Sequence, residues 1–91
     1  MATTQVDLVT PAGTLYSGGA EMVVCRTAGG DIAFLANHMP YVGALEAYPL
    51  RIVRPESGVE ELRFDVNGGF VEVNDNRVVV LCDAAEPARG A

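Results

Sequence analysis

Turn-forming residues interrupt this chain at such short intervals that no helical apolar period of adequate length develops, and this spacing constrains the fold more than any other feature. The run "QVDLVT" closes at Pro11-Ala12-Gly13, "TLYSGG" ends in two glycines, and "AEMVVCRT" stops at Ala28-Gly29-Gly30. "DIAFLA" and "VGALEA" flank Asn37-His38-Met39-Pro40, and "PLRIVR" runs to Pro55 and a Glu56-Ser57-Gly58 turn. Then Leu62, Phe64 and Val66 alternate with Glu61, Arg63 and Asp65, the pattern of an antiparallel strand with one face buried and one wet. "GFVEV" follows Asn67-Gly68-Gly69, where the hand-over between strands calls for the backbone freedom of glycine, as positive φ or as close approach of neighbouring strands. "NDN" turns the chain into "RVVVLCD", whose unbroken apolar run predicts burial on both faces. The pattern predicts an all-β fold, a small antiparallel β-sandwich or flattened barrel of about nine or ten short strands. The small, polar tail "AAEPARGA" carries Pro87 and predicts fraying, so the domain is placed at residues 1–85 with a flexible tail at 86–91.

A chain of 91 residues forms one small domain with little room for a deep, enclosed site. All six basic residues are arginine, which rules out a Schiff-base lysine or a phosphate-loop lysine. A net charge of −6 speaks against nucleic acid as a partner and against attachment to anionic lipid, and leaves proteins as the expected partners. No apolar run approaches the roughly 18 residues of a membrane span, so no direct membrane insertion is expected. The opening "MATTQVDLVT" lacks the features of a signal peptide and predicts a cytosolic product. In that setting Cys25 and Cys82, each inside an apolar run, read as reduced, buried small hydrophobes and not as a disulfide.

No catalytic set emerges. His38 is the sole histidine, and a zinc site draws three or four ligands from His, Cys and carboxylates, so no metal is expected. A Cys25–His38 dyad would need an exposed, activated thiol, whereas the strand pattern turns Cys25 inward. The two serines sit in turns without a nucleophile elbow, and Asp31 and Glu46 read as solvated loop charges. The Gly-Gly pairs are followed by no helix that could complete a phosphate cradle. These residues predict an interaction module with no cofactor. The alternative, a free-standing β-sandwich for ligand binding or protein interaction, needs for a small ligand or carbohydrate an aromatic cleft that a chain without Trp and with three scattered Tyr does not suggest.

Two segments carry a family resemblance. "VDLVTPAGTLYSGGAEMVVCRTAGGDIAFLANHMPYVGALE" and "FDVNGGFVEVNDNRVVVLCDAAE" resemble the N-terminal β-sandwich domain of the F-type ATP synthase epsilon subunit, called delta in mitochondria. Ser17-Gly18, Gly30, Ile32, Phe34, His38, Pro40, Ala44 and Leu45 occupy the marked positions of the first segment. Gly68-Gly69 opens the strand of the second, which ends in an acidic-Ala pair. Ala33, Ala36 and Ala47-Tyr48 depart from the usual Gly, Pro and Pro-Gly. Members continue into a C-terminal pair of helices, so the resemblance implies that this pair was cut away or is naturally absent.

The resemblance implies a non-catalytic rotor subunit of the central stalk that couples ion translocation through the c-ring to ATP synthesis through gamma. The expected location is peripheral, in the F1 sector on the cytoplasmic face of the bacterial plasma membrane. No tight nucleotide binding is expected, because the family's regulatory site lies in the helical segment. The resemblance places the contact with gamma and the c-ring on Asp31, His38, Met39 and Tyr41, and gives Gly30, Pro40, Gly68 and Gly69 structural turns. On this reading Asp31, His38 and Tyr41 sit on a loop tip, and replacing all three should leave the fold intact.

Overall fold

A computed structural model describes residues 3–53 and 61–87. Among them are ten strands and no helix: β1 (Thr4–Thr10), β2 (Gly13–Ala20), β3 (Met22–Thr27), β4 (Gly30–Leu35), β5 (Tyr41–Leu45), β6 (Tyr48–Val53), β7 (Glu61–Val66), β8 (Gly69–Asn74), β9 (Arg77–Leu81) and β10 (Ala85–Pro87). The expected turn at Glu56-Ser57-Gly58 and the last four residues of the tail lie outside the described residues. The strands join in the order β10-β7-β6-β3-β5-β8-β9-β1-β2, with β4 on β3. Every pairing is antiparallel except β1 with β9, which is parallel and departs from the purely antiparallel expectation.

The sheet curls because β3 changes neighbour along its length. Thr27 pairs with Leu45 of β5, whereas Met22 to Val24 pair with Val53 to Arg51 of β6. A strand shared in this way forms the corner between two layers. The inner faces then meet in one core: Val6 and Leu8 of β1, Val78 and Val80 of β9, Val71 of β8, Val23 of β3, Leu50 and Ile52 of β6, and Phe34 of β4 are all fully buried. Each such side chain contributes roughly 1.5–3 kcal/mol relative to its exposed state. In β7, Phe64 and Val66 face inward and Arg63 and Asp65 outward, as the alternation predicted.

β9 is not buried on both faces. Val78 and Val80 are fully buried, Val79 is half-buried and Leu81 is exposed. The unbroken apolar run reflects an uncovered outer face and not a second cover. The tail also departs from expectation, since pairing continues to Pro87 through Ala85 with Val66, Glu86 with Asp65 and Pro87 with Phe64. β7 would otherwise present a row of unpaired backbone groups, and β10 covers them.

Local chemistry sets the turns. The β1–β2 and β3–β4 hairpins share one device in "TPAG" and "TAGG". Thr10 Oγ1 donates to Gly13 O (3.1 Å) and accepts from Ala12 N (3.2 Å); Thr27 Oγ1 does the same with Gly30 O (3.1 Å) and Gly29 N (3.2 Å). The β8–β9 turn is a two-residue loop with Asp75 at φ 51° and Asn76 at φ 57°, the doubly left-handed form that matches the twist of paired strands. Gly68 (φ 82°) and Gly69 (φ 136°) both take positive φ. Gly69 is also required by space, because a Cβ there would collide with Leu81 O and sit 2.8 Å from Cys82 Cα.

Candidate partner-contact surface

The segment from Leu35 to Tyr41 links β4 to β5. Asn37 takes a left-handed conformation (φ 61°), and His38 N donates to Leu35 O at 3.2 Å. His38 Nδ1 lies 2.7 Å from Met39 O; a carbonyl only accepts, so Nδ1 carries the proton of this contact. The His38 ring meets Phe34 edge-on at 4.9 Å, and the Tyr41 ring tilts against the same Phe34 at 5.4 Å. Tyr41 also lies over Gly43, where a Cβ would come within 2.6 Å of its hydroxyl. Pro40 leads into β5 with its φ preset.

His38 and Tyr41 are therefore half-buried, and Tyr41 packs against the core cluster. This corrects the loop-tip expectation: replacing both residues removes the cover of Phe34, so a variant at Asp31, His38 and Tyr41 together does not leave the packing untouched. Met39, at 75% exposure, and Leu35, at 55%, are the large apolar side chains this segment offers outward.

Asp31 does not join this group. It stands at the hairpin end of β4, opposite Arg26 of β3, separated from the far end of the strand by about 13 Å of extended chain. It is a solvated charge, as expected, but on a strand and not a loop, and Arg26 Nε donates to its carboxylate at 2.7 Å. That hydrogen bond, with the charges of Arg26 and Arg51, holds the Asp31 carboxyl below its usual range. Gly30 beside it has φ 118° with open space where a Cβ would be.

Cys25 and Cys82 are both free and buried. Burial, with the Asp31 charge adding to it, pushes the Cys25 thiol up to about 12, which keeps it protonated at neutral pH and without nucleophilic character. Among the described residues no group of three or more His, Cys, Asp or Glu side chains could hold a metal ion, and no helix is long and apolar enough to cross a membrane.

A second surface escaped the sequence reading. On the outside of the layer formed by β5, β8 and β9, Val42 is 71% exposed, Phe70 59% and Leu81 48%. The register puts Ala44, Phe70, Leu81 and Val9 in one row across four strands. Beside this row runs a groove of about 420 Å³ lined by Val9, Pro11, Phe70, Leu81 and Asp83 among others. The signal was present: a two-residue turn at Asp75-Asn76 pairs Asn74 with Arg77, which sets Phe70 opposite Leu81 on the face away from Val71 and Val80. An apolar row in that outward position needs cover from elsewhere.

The sequence pattern of the β-sandwich domain of the ATP synthase delta/epsilon chain matches residues 3–88. The ATP synthase epsilon chain of Brevibacillus brevis is 42% identical over 86 residues, which are 94% of this chain and 64% of that one. The epsilon chain of Shouchella clausii is 43% identical, over 94% of this chain and 62% of its own length. The chain thus spans 62–64% of these relatives. The fold superposes with a TM-score of 0.87 and 25% identity on a chain of the Euglena gracilis mitochondrial ATP synthase, in a structure of OSCP, F1 and the c-ring, covering 96% of this chain and 54% of that one. A chain of the Tetrahymena thermophila central stalk and c-ring shares the fold, with a TM-score of 0.75 and 20% identity over 90% of this chain and 64% of its own. A ten-stranded curled sheet, two family segments in order and this extent of identity lead to one conclusion: the chain belongs to the delta/epsilon-chain family of ATP synthase and carries its β-sandwich domain.

Proposed function

We propose that this domain works as a non-catalytic coupling element of the rotor, bound to gamma and to the c-ring, and so links ion translocation to ATP synthesis. It holds a peripheral position in the F1 sector on the cytoplasmic face of a bacterial plasma membrane. The observation that carries this reading is the exposed apolar row of Phe70 and Leu81, with Val42 on the same outer face. A rotor element must transmit load without slipping, and a stable contact of standard size buries roughly 800 Å² on each partner. The few side chains of the His38 segment cannot supply that area alone; the row, which lies toward the opposite ends of β8 and β9 from the Asn76 turn, adds apolar area of its own. Membership of the family and the Euglena assembly of F1 and c-ring support the choice of partners. Asp31, with its carboxylate held ionised by Arg26, offers a charge to basic loops of the ring. Nucleotide hydrolysis and tight nucleotide binding are not part of this role.

The test is association with the cognate gamma subunit, followed by ATP-driven proton pumping in reconstituted membranes. The 91-residue chain should bind gamma. Phe70→Gln with Leu81→Gln, and separately Met39→Ser, should weaken that association and lower pumping. Failure of the unmodified chain to bind gamma would remove the reading.

A further inference from the structure

The β8–β9 turn holds more than its own hairpin. Asn76 Oδ1 accepts a hydrogen bond from Asn37 N at 2.7 Å, across 39 residues of sequence. Its Nδ2 donates to Thr3 O at 2.9 Å, and its main-chain oxygen accepts from Gln5 N at 3.1 Å. One residue thereby fastens the turn, the start of β1 and the segment that carries His38 and Met39. Asn37 sits at φ 61°, a left-handed conformation that asparagine takes more readily than most side chains and that the turn closed by His38 N on Leu35 O calls for. The Asn76 amide anchors that turn to the start of β1, because it accepts with one arm and donates with the other in a fixed plane. Asn also suits φ 57° at position 76 better than most side chains.

We propose that Asn76 is the positioning residue of the partner-contact segment: it fixes the left-handed turn at Asn37 and thereby the direction in which Met39 is presented. The proposal rests on the reading of that segment as a contact. His38 and Tyr41 pack on Phe34 and hold the segment down, and His38 N on Leu35 O closes the turn locally, but neither ties the backbone at Asn37 to the β8–β9 turn. The hydrogen bond from Asn37 to Asn76 does.

The 91-residue chain is compared with Asn76→Gly, which keeps positive φ but has no side chain, and with Asn76→Asp, which keeps the acceptor for Asn37 and loses the donor to Thr3. Amide hydrogen exchange reads Asn37 directly, and association with gamma and the c-ring reads the consequence. In Asn76→Gly, exchange at Asn37 should quicken about tenfold, the scale of one lost hydrogen bond, and association should weaken by about the same factor. The amides of Val71 and Val80 should stay protected. In Asn76→Asp, Asn37 should remain protected and association should remain near that of the unmodified chain.

Unchanged exchange at Asn37 in Asn76→Gly overturns the proposal, as does an unprotected Asn37 in folded Asn76→Asp. Faster exchange with undiminished association also overturns it, and Met39→Ser then separates the two ideas. A loss of association in Met39→Ser leaves the contact reading standing without Asn76, and no loss removes the contact reading as well. Should Asn76→Gly loosen the whole sheet, Asn76→Asp still decides.

Discussion

The two outer faces of the curled sheet differ, although their inner faces share one core. Outside β5, β8 and β9 stand Val42, Phe70 and Leu81, with Glu72 among them; outside β3, β4, β6 and β7 stand Arg26, Asp31, Arg51 and Arg63, with Leu35 the exposed apolar exception. On the second face Arg26 lies opposite Asp31 and Arg51 opposite Arg63, with a shallow pocket between Asp31, Pro49, Arg51 and Arg63. Charge is what a wet antiparallel sheet shows. The apolar face is the one that asks for a partner. Inward residues therefore report the fold, and outward residues report what the fold is for.

The largest expected effect tests the backbone beneath each face. Gly69→Ala drives a Cβ into Leu81 and Cys82 at positive φ and should cost about 3 kcal/mol or more. Gly30→Ala, beside the charged face, meets no atom within 4 Å and should cost only its backbone strain, about 1 kcal/mol. Urea unfolding of both variants measures the contrast; equal losses would erase it. Next, Phe70→Gln with Leu81→Gln should change folding stability by no more than about 1 kcal/mol while weakening gamma binding at least tenfold, roughly 1.4 kcal/mol. Arg63→Gln on the opposite face should leave gamma binding where it was. A loss for both variants would mean that the partner grips both faces.

A smaller effect is read by pH. Asp7, beside the apolar row, accepts from Ser17 Oγ (2.7 Å), from Gln5 Nε2 (3.3 Å) and from Arg77 Nε (2.9 Å). The Ser17 hydrogen bond leads in holding its carboxyl below the usual value, against the opposing effect of burial, with Arg77 and Gln5 assisting. A folded pKa below the unfolded one means stability that is present above the unfolded value, near 3.9, and lost as pH falls through the folded value. Asp7→Asn should therefore flatten the acid limb of the stability curve. Asp31→Asn should flatten it less, and 1 M salt should shrink its effect, because the Arg26–Asp31 pair is open to solvent.

The smallest effect separates the two thiols. Cys25 faces the core at 2% exposure, whereas Cys82 lines the groove beside Phe70 at 6%. At pH 8 both should alkylate slowly in the native chain, Cys82 ahead of Cys25. Bound gamma should slow Cys82 further if it covers the apolar row. Rapid labelling of Cys25 without denaturant would contradict its place in the core.

Some of this protein was set by neighbours in sequence. Pro11 and Gly29 ended β1 and β3 where they were expected, because φ preference and missing donors act within a residue or two, whereas β2 runs through Gly18 and Gly19 to Ala20. "NDN" set the register of β8 on β9, and the alternation in "ELRFDV" set which side of β7 faces inward. Other features needed distant partners. Whether Val79 and Leu81 are covered depends on what lies outside β9, and a run of apolar letters reads the same either way. Tyr41 and His38 turned inward because Phe34 was there to receive them. Ala85 to Pro87 became a strand because β7 had an open edge, not because of their own propensity. Asp31 fell away from His38 because an extended strand separates what seven residues of sequence seem to keep close. The link from Asn76 to Asn37 exists only where the curled sheet brings two turns together, and no local preference of either asparagine encodes it.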